Sequence, residues 1–463
     1  MLVKEKRFVF VGGGWVMNDE ALPTYKGVIL QMRTGLDFLR DTFNVRPLIA
    51  WQIDPFGSSA LTVATFYKLG YEALVENRIS ADFKKHNRFN FMWQGHQVTS
   101  NKSEASLFTH ILTRHYNIPG IWSENQFLSM SVNTLKDKFW RLEVVPALNE
   151  IKDISSPQLE DYNIMMTAGD DFTYVQADRV FSHYAELAQT TTKMGEKEGY
   201  ETKMGFRSLY EYFESIKKMG ITYGYFKGDF LPFQESYSHW DEFWTGYYSS
   251  RLHMKRLIRH VFNDIQSTKT LLAIRAKSTN SGTVFFNDEL ANNTDKINEY
   301  IVGAERNWSI LMHHDGITGT HAAKTEPSYY KILKDALSSL DKARTKMDEV
   351  FPSGLSKTMV DSLKSIYDKL NDPSIDFHTI VNPAGYYRIQ IMNITLTGER
   401  GDNYVACLLQ DGRLDCSVDS YYTDIIRLEG SNSTSLKPTL FVKVPMVALS
   451  YSQVIVSQNW LHI

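Results

Sequence analysis

Asp54 closes the segment Trp51-Gln52-Ile53-Asp54-Pro55-Phe56-Gly57, directly after the apolar run Pro47-Leu48-Ile49-Ala50. Pro55 cannot continue a strand ladder and Gly57 permits a sharp turn, so the carboxylate falls where the strand stops. A second carboxylate arrives in the same manner. Asn163-Ile164-Met165-Met166 is apolar, and Thr167-Ala168-Gly169 leads into Asp170-Asp171-Phe172. A third group is His313-His314-Asp315, followed by Gly316-Ile317-Thr318-Gly319-Thr320 at the end of a helical pattern. Two strand-end carboxylates with a histidine–carboxylate cluster point to metal-assisted hydrolysis.

Each group also has a bland reading. Strand-end aspartates serve as N-caps of the following helix. A histidine beside Gly316 fits an ordinary helix C-terminus, where imidazole meets the macrodipole. Against these stands the chemistry. Glycosidic bond cleavage takes one ionised and one protonated carboxyl group; at roughly 5 Å separation the reaction retains configuration through a covalent intermediate. Asp170, beside Asp171, would help to keep one of them protonated. His314 with Asp315 suits zinc, which needs three or more protein ligands in a catalytic site. Arg78 follows the apolar run at 73–75, and Tyr116 precedes the Asn117-Ile118-Pro119-Gly120 turn. Arginine fixes carboxylates or sugar hydroxyls, and tyrosine bonds a nucleophile or stacks on a ring. A surface arginine and a core tyrosine remain open as their ordinary roles.

These side chains need elements to position them. Residues 1–235 alternate short apolar strands, at 8–11, 48–53, 73–75 and 164–166, with amphipathic helices, the first over 23–43. That alternation implies βα units and a mainly parallel sheet or barrel. Residues 236–349 read as three helices, striped by Leu257, Val261 and Ile265, then Ile297, Ile301, Trp308 and Leu311, then Tyr330, Leu333, Leu337, Leu340 and Met347. Those stripes predict a helical bundle. After the Asn371-Asp372-Pro373 turn, residues 377–463 become strand-like, with runs at 386–395, 404–410, 439–444 and 454–456. Cys407 and Cys416 flank the Asp411-Gly412 turn, where a cross-hairpin disulfide and two free thiols are both open.

At 463 residues the chain exceeds one ordinary core. A formal charge of −3 gives no electrostatic case for nucleic acid. No run of 18 apolar residues predicts a membrane span. The segment Met1-Leu2-Val3-Lys4-Glu5-Lys6-Arg7 is too polar for a signal peptide. Five Asn-x-Ser/Thr sequons, at Asn101, Asn292, Asn307, Asn393 and Asn432, weigh weakly toward a secretory or vacuolar route.

Taken together, the motifs resemble family 38 glycoside hydrolases, the class II α-mannosidases, and their lysosomal type above all. The matching blocks run in order: Gly13-Gly14-Trp15-Val16-Met17-Asn18-Asp19-Glu20-Ala21, the Asp54 segment, Gly169-Asp170-Asp171-Phe172, Phe243-Trp244-Thr245-Gly246-Tyr247-Tyr248-Ser249-Ser250-Arg251, and the His313-His314-Asp315 cluster with Thr318-Gly319-Thr320. The resemblance implies a seven-stranded α/β barrel, a three-helix bundle and a β-rich, sandwich-like C-terminal region. It implies Asp54 as nucleophile and zinc ligand, Asp171 as general acid/base, and His314 as zinc ligand. Arg78, Tyr116 and Asp315 would hold the sugar. It further implies zinc as cofactor, mannose-containing glycans as partners and a lysosomal, vacuolar or secretory location, and it leaves homo-oligomerisation open.

Two departures bear on this expectation. The family carries a His-x-Asp at the end of its first strand, and no such motif precedes Gly13 here. Asp54 and His314 alone are too few for a catalytic zinc. Ser58 stands where lysosomal and Golgi members carry histidine. The chain thus reads either as an N-terminally truncated α-mannosidase, lacking the first barrel strand, or as a zinc-free homologue that binds mannosides without cleaving them. Residues 1–463 alone are expected to be poorly soluble and inactive. A different metal-dependent hydrolase, such as a polysaccharide deacetylase, has no need of the Asp54/Asp171 pair.

Overall fold

The computed structural model describes residues 1–86, 89–95, 105–112, 115–116, 124–145, 163–199, 203–236, 241–280 and 288–350, and seven strands between residues 376 and 458. It divides into two compact units. The first comprises Met1–Ile258 and Trp308–Tyr330; the second comprises Arg259–Asn307 and Lys331–Ile463.

The first unit is built on a five-stranded sheet. Its strands are β1 (Ile49–Gln52), β2 (Ala73–Glu76), β3 (Asn90–Gln94), β4 (Ser106–Ile111) and β5 (Tyr225–Lys227), in spatial order β1-β2-β4-β3-β5. All neighbours pair in parallel except β3 with β4. Both faces of the sheet are covered, which is why β1 and β2 read as unbroken apolar runs. Ala50, Leu74, Phe91, Trp93 and Leu107 pack toward α1 (Tyr25–Phe43) and α2 (Ala60–Lys68), through Met32, Val63 and Phe66. Ile49, Ala73 and Val75, one step out of phase, join Leu112 and Tyr116 in a second cluster.

Helix boundaries follow their capping chemistry. Thr24 accepts from the Gly27 N–H at the start of α1, and Asn44 closes it in the left-handed conformation. Gly35 in α1 lets the 13–15 segment cross the helix: a Cβ there would lie 2.3 Å from the Gly13 carbonyl oxygen. The start of α2 is held by Ser59, by the Glu20 carboxylate and by Asp229.

The remaining helices are α3 (Ala81–His86), α4 (Glu124–Ser129), α5 (Val132–Phe139), α6 (Ala177–Lys197), α7 (Leu209–Lys218), α8 (Leu252–Asn280), α9 (Asp288–Ile310) and α10 (Glu326–Val350). In the second unit, Leu271, Ile297, Ile301, Ala343 and Met347 form one apolar core. It is bordered by the Lys269–Glu305 pair at 2.7 Å and by Arg344 against Asp264 and Thr268. A short antiparallel ribbon pairs β6 (Gln234–Ser236) with β7 (Asp241–Phe243). Beyond α10, β10 (Tyr404–Gln410), β11 (Arg413–Asp415), β14 (Tyr451–Gln458) and β8 (Asp376–Val381) make an antiparallel sheet. A second antiparallel sheet joins β12 (Ser420–Thr423), β13 (Thr439–Met446) and β9 (Arg388–Thr395). Gln410 pairs with Arg413 at the end of the β10–β11 ladder. Asp411, Gly412 and Cys416 themselves lie outside the described residues, as do Asn101 and Asn432.

Three expectations are corrected. Residues 8–11 are not a strand; residues 2–6 coil into turns, Phe8 is exposed, and only Gly12 bonds across to the Ile49 carbonyl. Residues 164–166 are not a strand either, so Asp171 leaves irregular backbone rather than a strand end. Tyr330 turns outward instead of lining the helical core. The sheet is mainly parallel, as expected, with one antiparallel pair, β3 with β4, that the apolar runs did not announce. In addition, the sequon at Asn307 lies within α9, where Trp308 and Ser309 are buried.

Candidate active site

Asp54 stands two residues beyond β1, at the carboxyl edge of the sheet. The turn after it is tight: Gly57 has φ +91°, and a Cβ there would meet the Phe230 carbonyl oxygen at 2.6 Å. Arg78 follows β2 on the adjacent strand and donates to Asp54 Oδ1 through Nε and Nη2, both at 2.6 Å. The guanidinium lies over the rings of Phe56 and Trp244, 5.5 and 5.4 Å from their centroids, which fixes its plane. His314 Nε2 sits 2.9 Å from Asp54 Oδ2. Burial pushes the Asp54 carboxyl up, yet the hydrogen bond from His314 and the charge of Arg78 outweigh it and hold the pKa at about 2.

His314 is placed by the far end of the unit. α9 stops at Ile310, and the turn after it runs alongside residues 17–19. Asn18 and His313 form an isolated antiparallel bridge, Asp19 N–H donates to the Met312 carbonyl, and His314 N–H donates to Met17. The His314 Nδ1 faces the Met17 carbonyl at 2.9 Å. A carbonyl only accepts, so Nδ1 carries the proton. Nε2 then meets Asp54 in one of two ways: as the N–H of an imidazolium, or as a lone pair that shares a cation with the carboxylate. Burial pulls the His314 pKa down, but the Asp54 bond and charge prevail and raise it.

The arrangement therefore offers part of a donor set for zinc, which needs three or more protein ligands. An imidazole nitrogen and a carboxylate oxygen converge, and the imidazole is oriented by a backbone carbonyl on its other nitrogen. His313 and Asp315 bring further donor atoms; those of His313, His314 and Asp315 all lie within 4.8 Å of one another. Asp315 is fixed by Thr320, whose hydroxyl donates to its Oδ1, and its N–H donates to His313 Nδ1 at 3.0 Å.

Asp171 lies on an exposed loop. Burial, then the charges of Asp54, Asp170 and Asp315, raise its pKa. Tyr116 belongs to the apolar cluster beneath β1 and β2. Burial and then the Asp54 charge raise its hydroxyl pKa, so it stays a neutral donor. All six residues singled out in the sequence thus bear on one locality around Asp54. Sequence reasoning missed the Met17 carbonyl and the Phe56–Trp244 bracket of Arg78. It also missed the buried acids Asp19, Glu20 and Glu76 behind the site. The blocks that contain Met17, Asp19, Glu20, Phe56 and Trp244 were visible; nothing in them marked these roles.

Two carboxyl groups driven toward opposite protonation states are what glycosidic hydrolysis requires. The class of enzymes that works with such a pair is the glycoside hydrolases. Within that class, residues 1–236 match the Glycosyl hydrolases family 38 N-terminal domain and residues 242–349 match the Alpha mannosidase middle domain, and the chain belongs to family 38. It is 30% identical over 439 residues to alpha-mannosidase E of Dictyostelium discoideum, covering 87% of this chain and 37% of that one. It is 28% identical over 344 residues to the lysosomal alpha-mannosidase of Felis catus, covering 72% and 32%. The chain thus spans about a third of the length of these relatives. An alpha-mannosidase crystal structure from Enterococcus faecalis V583 superposes with TM-score 0.58 at 12% identity, over 99% of this chain and 48% of that one. No helix among the described residues is long and apolar enough to cross a membrane.

Proposed function

We propose that this protein is a retaining α-mannosidase that removes terminal α-linked mannose from glycans through a covalent glycosyl-enzyme intermediate. The observation that carries this reading is Asp54, held ionised between Arg78 and His314. The names of the relatives support the choice of sugar. In this reading Asp54 attacks the anomeric carbon as an ionised carboxylate. Asp171 protonates the leaving oxygen and then takes a proton from the incoming water. Arg78 and Tyr116 orient the nucleophile, and Asp315 accepts from sugar hydroxyls. Zinc would be held by Asp54 and His314, with His313 and Asp315 beside them, and would supply a Lewis acid for sugar hydroxyls. The five-stranded sheet would belong to the seven-stranded barrel, with 1–235 as catalytic domain, 236–349 as three-helix domain and 377–463 as the start of the β-rich region. A lysosomal or vacuolar location is supported by the lysosomal relatives.

The test is Asp54→Asn in a form of the protein that turns over an aryl α-mannoside with zinc present. Turnover is expected to fall by at least about a thousandfold, as when a covalent nucleophile is removed. Turnover near wild type would remove Asp54 from that role. A wild-type protein that binds mannosides without turning them over would instead favour the binding-only homologue.

A further inference from the structure

Phe172, the residue after Asp171, is 97% exposed. Its φ is +58°, a left-handed conformation that bulky side chains rarely adopt. Tyr174 repeats this at +64°. The loop is held in place by its own bonds. Asp171 N–H donates to Asp170 Oδ1 at 2.8 Å, Thr173 Oγ1 donates to the Asp170 carbonyl at 2.9 Å, and the Tyr174 hydroxyl donates to Ala168. Farther on, Glu124 accepts from the Val175 and Gln176 N–H groups. Held this way, the backbone presents an aromatic ring to water in a conformation that carries an energetic cost. An aromatic surface follows. Tyr174 stacks on Phe181 with centroids 5.4 Å apart, and Phe181 meets Phe206 edge-on at 5.9 Å. Phe181 and Phe206 are both more than half exposed.

We infer that the Phe172 ring is the platform on which the sugar on the leaving side of the scissile bond stacks, the Tyr174–Phe181–Phe206 surface continuing it for longer glycans. The inference rests on the α-mannosidase reading above. It follows from position. A general acid must touch the glycosidic oxygen, so the leaving sugar lies within bonding reach of Asp171. The Cα of Phe172 is one peptide, about 3.8 Å, from that of Asp171. A sugar ring offers an apolar C–H face that matches an aromatic surface, and single mannose units would gain nothing from it.

The experiment compares Kd values for methyl α-mannoside and for a sulfur-linked α-mannobiose, which is not hydrolysed, by titration calorimetry. Wild type is expected to bind the disaccharide about tenfold more tightly, the worth of one ring contact. Phe172→Asn removes the ring, and asparagine tolerates the left-handed backbone. It is expected to bring the two Kd values together while leaving that of methyl α-mannoside unmoved. Phe172→Tyr is expected to keep the tenfold ratio. A ratio unchanged in Phe172→Asn overturns the inference, as does a parallel loss of both affinities. A changed sedimentation coefficient with an unchanged ratio overturns it in favour of self-association. If wild type binds neither sugar, the mannosidase reading itself fails and takes the inference with it.

Discussion

At Asp171 the surroundings of the carboxyl decide its work. Partial burial makes ionisation costly, and the charges of Asp54, Asp170 and Asp315 add to this. Asp54, though more deeply enclosed, is driven the other way because His314 and Arg78 donate to it. An acid of this kind matters in proportion to the basicity of the leaving group. Asp171→Asn is therefore expected to lower kcat/KM on natural mannosides by about a hundred- to ten-thousandfold, and on dinitrophenyl α-mannoside by less than about tenfold. Equal losses on both substrates would count against the acid/base role. Residue chemistry was the most legible level of the sequence. Asp54, Arg78 and His314 could be named because strand ends and helix ends concentrate such groups. The Met17 carbonyl could not, because a backbone acceptor leaves no trace in residue type.

The elements matter most where the 313–321 turn is anchored. Arg251 donates to the carbonyls of Gly319 and His321 and pairs with Glu326 at 3.1 Å. Lys255, nearly buried, donates to the Thr318 carbonyl at 2.8 Å. Both cations project from the start of α8 and hold backbone oxygens of the loop that presents His314 and Asp315. Arg251→Ala is expected to destabilise the fold by about 2 kcal/mol in chemical denaturation. It is also expected to weaken zinc binding, measured by competition with a chromophoric chelator. Stability lost with metal affinity intact would confine Arg251 to a structural part. Element-level reading succeeded for long periodic helices: α1 was expected over 23–43 and runs Tyr25–Phe43. It failed at 8–11 and 164–166, because a strand is defined by its partner. An apolar run says only that burial is favoured; the ladder that would make it a strand lies elsewhere in the chain. β3 escaped notice for the opposite reason. Asn90-Phe91-Met92-Trp93-Gln94 is too short and polar-edged to stand out, yet Phe91 and Trp93 anchor the sheet.

At the scale of the molecule, a set of acids lies beneath the sheet edge. Burial raises Asp19 from 3.8 to about 6 and Glu20 from 4.5 to about 7. Glu76, fully buried, is raised further by burial and by Glu20, and Ser58 donates to it at 2.6 Å. The serine that replaces the family's usual histidine is thus the partner of a buried acid. Such groups bind protons more tightly folded than unfolded. Their contribution to stability is fully present below about pH 4 and is lost as pH rises through 6 to 7. Thermal midpoints are expected to be higher at pH 5 than at pH 7.5, and Glu20→Gln is expected to flatten that slope. A wild-type midpoint that climbs between pH 5 and 7.5 would refute the account. Nothing in the sequence disclosed this layer, because each acid's burial depends on segments distant in the chain.

The bridge between Asn18 and His313 carries a consequence for the order of manufacture. The ribosome releases residues 17–19 long before it makes His314, and the helical excursion of Arg259–Asn307 comes between them. A nascent chain that has already laid down β1 to β5 therefore carries Asp54 and Arg78 without the imidazole that completes the setting. Until the turn after α9 emerges, the Met17 carbonyl and the Asp19 N–H lack their native partners. The unit must close around a late-arriving segment, and a chaperone that delays its collapse would act in that interval.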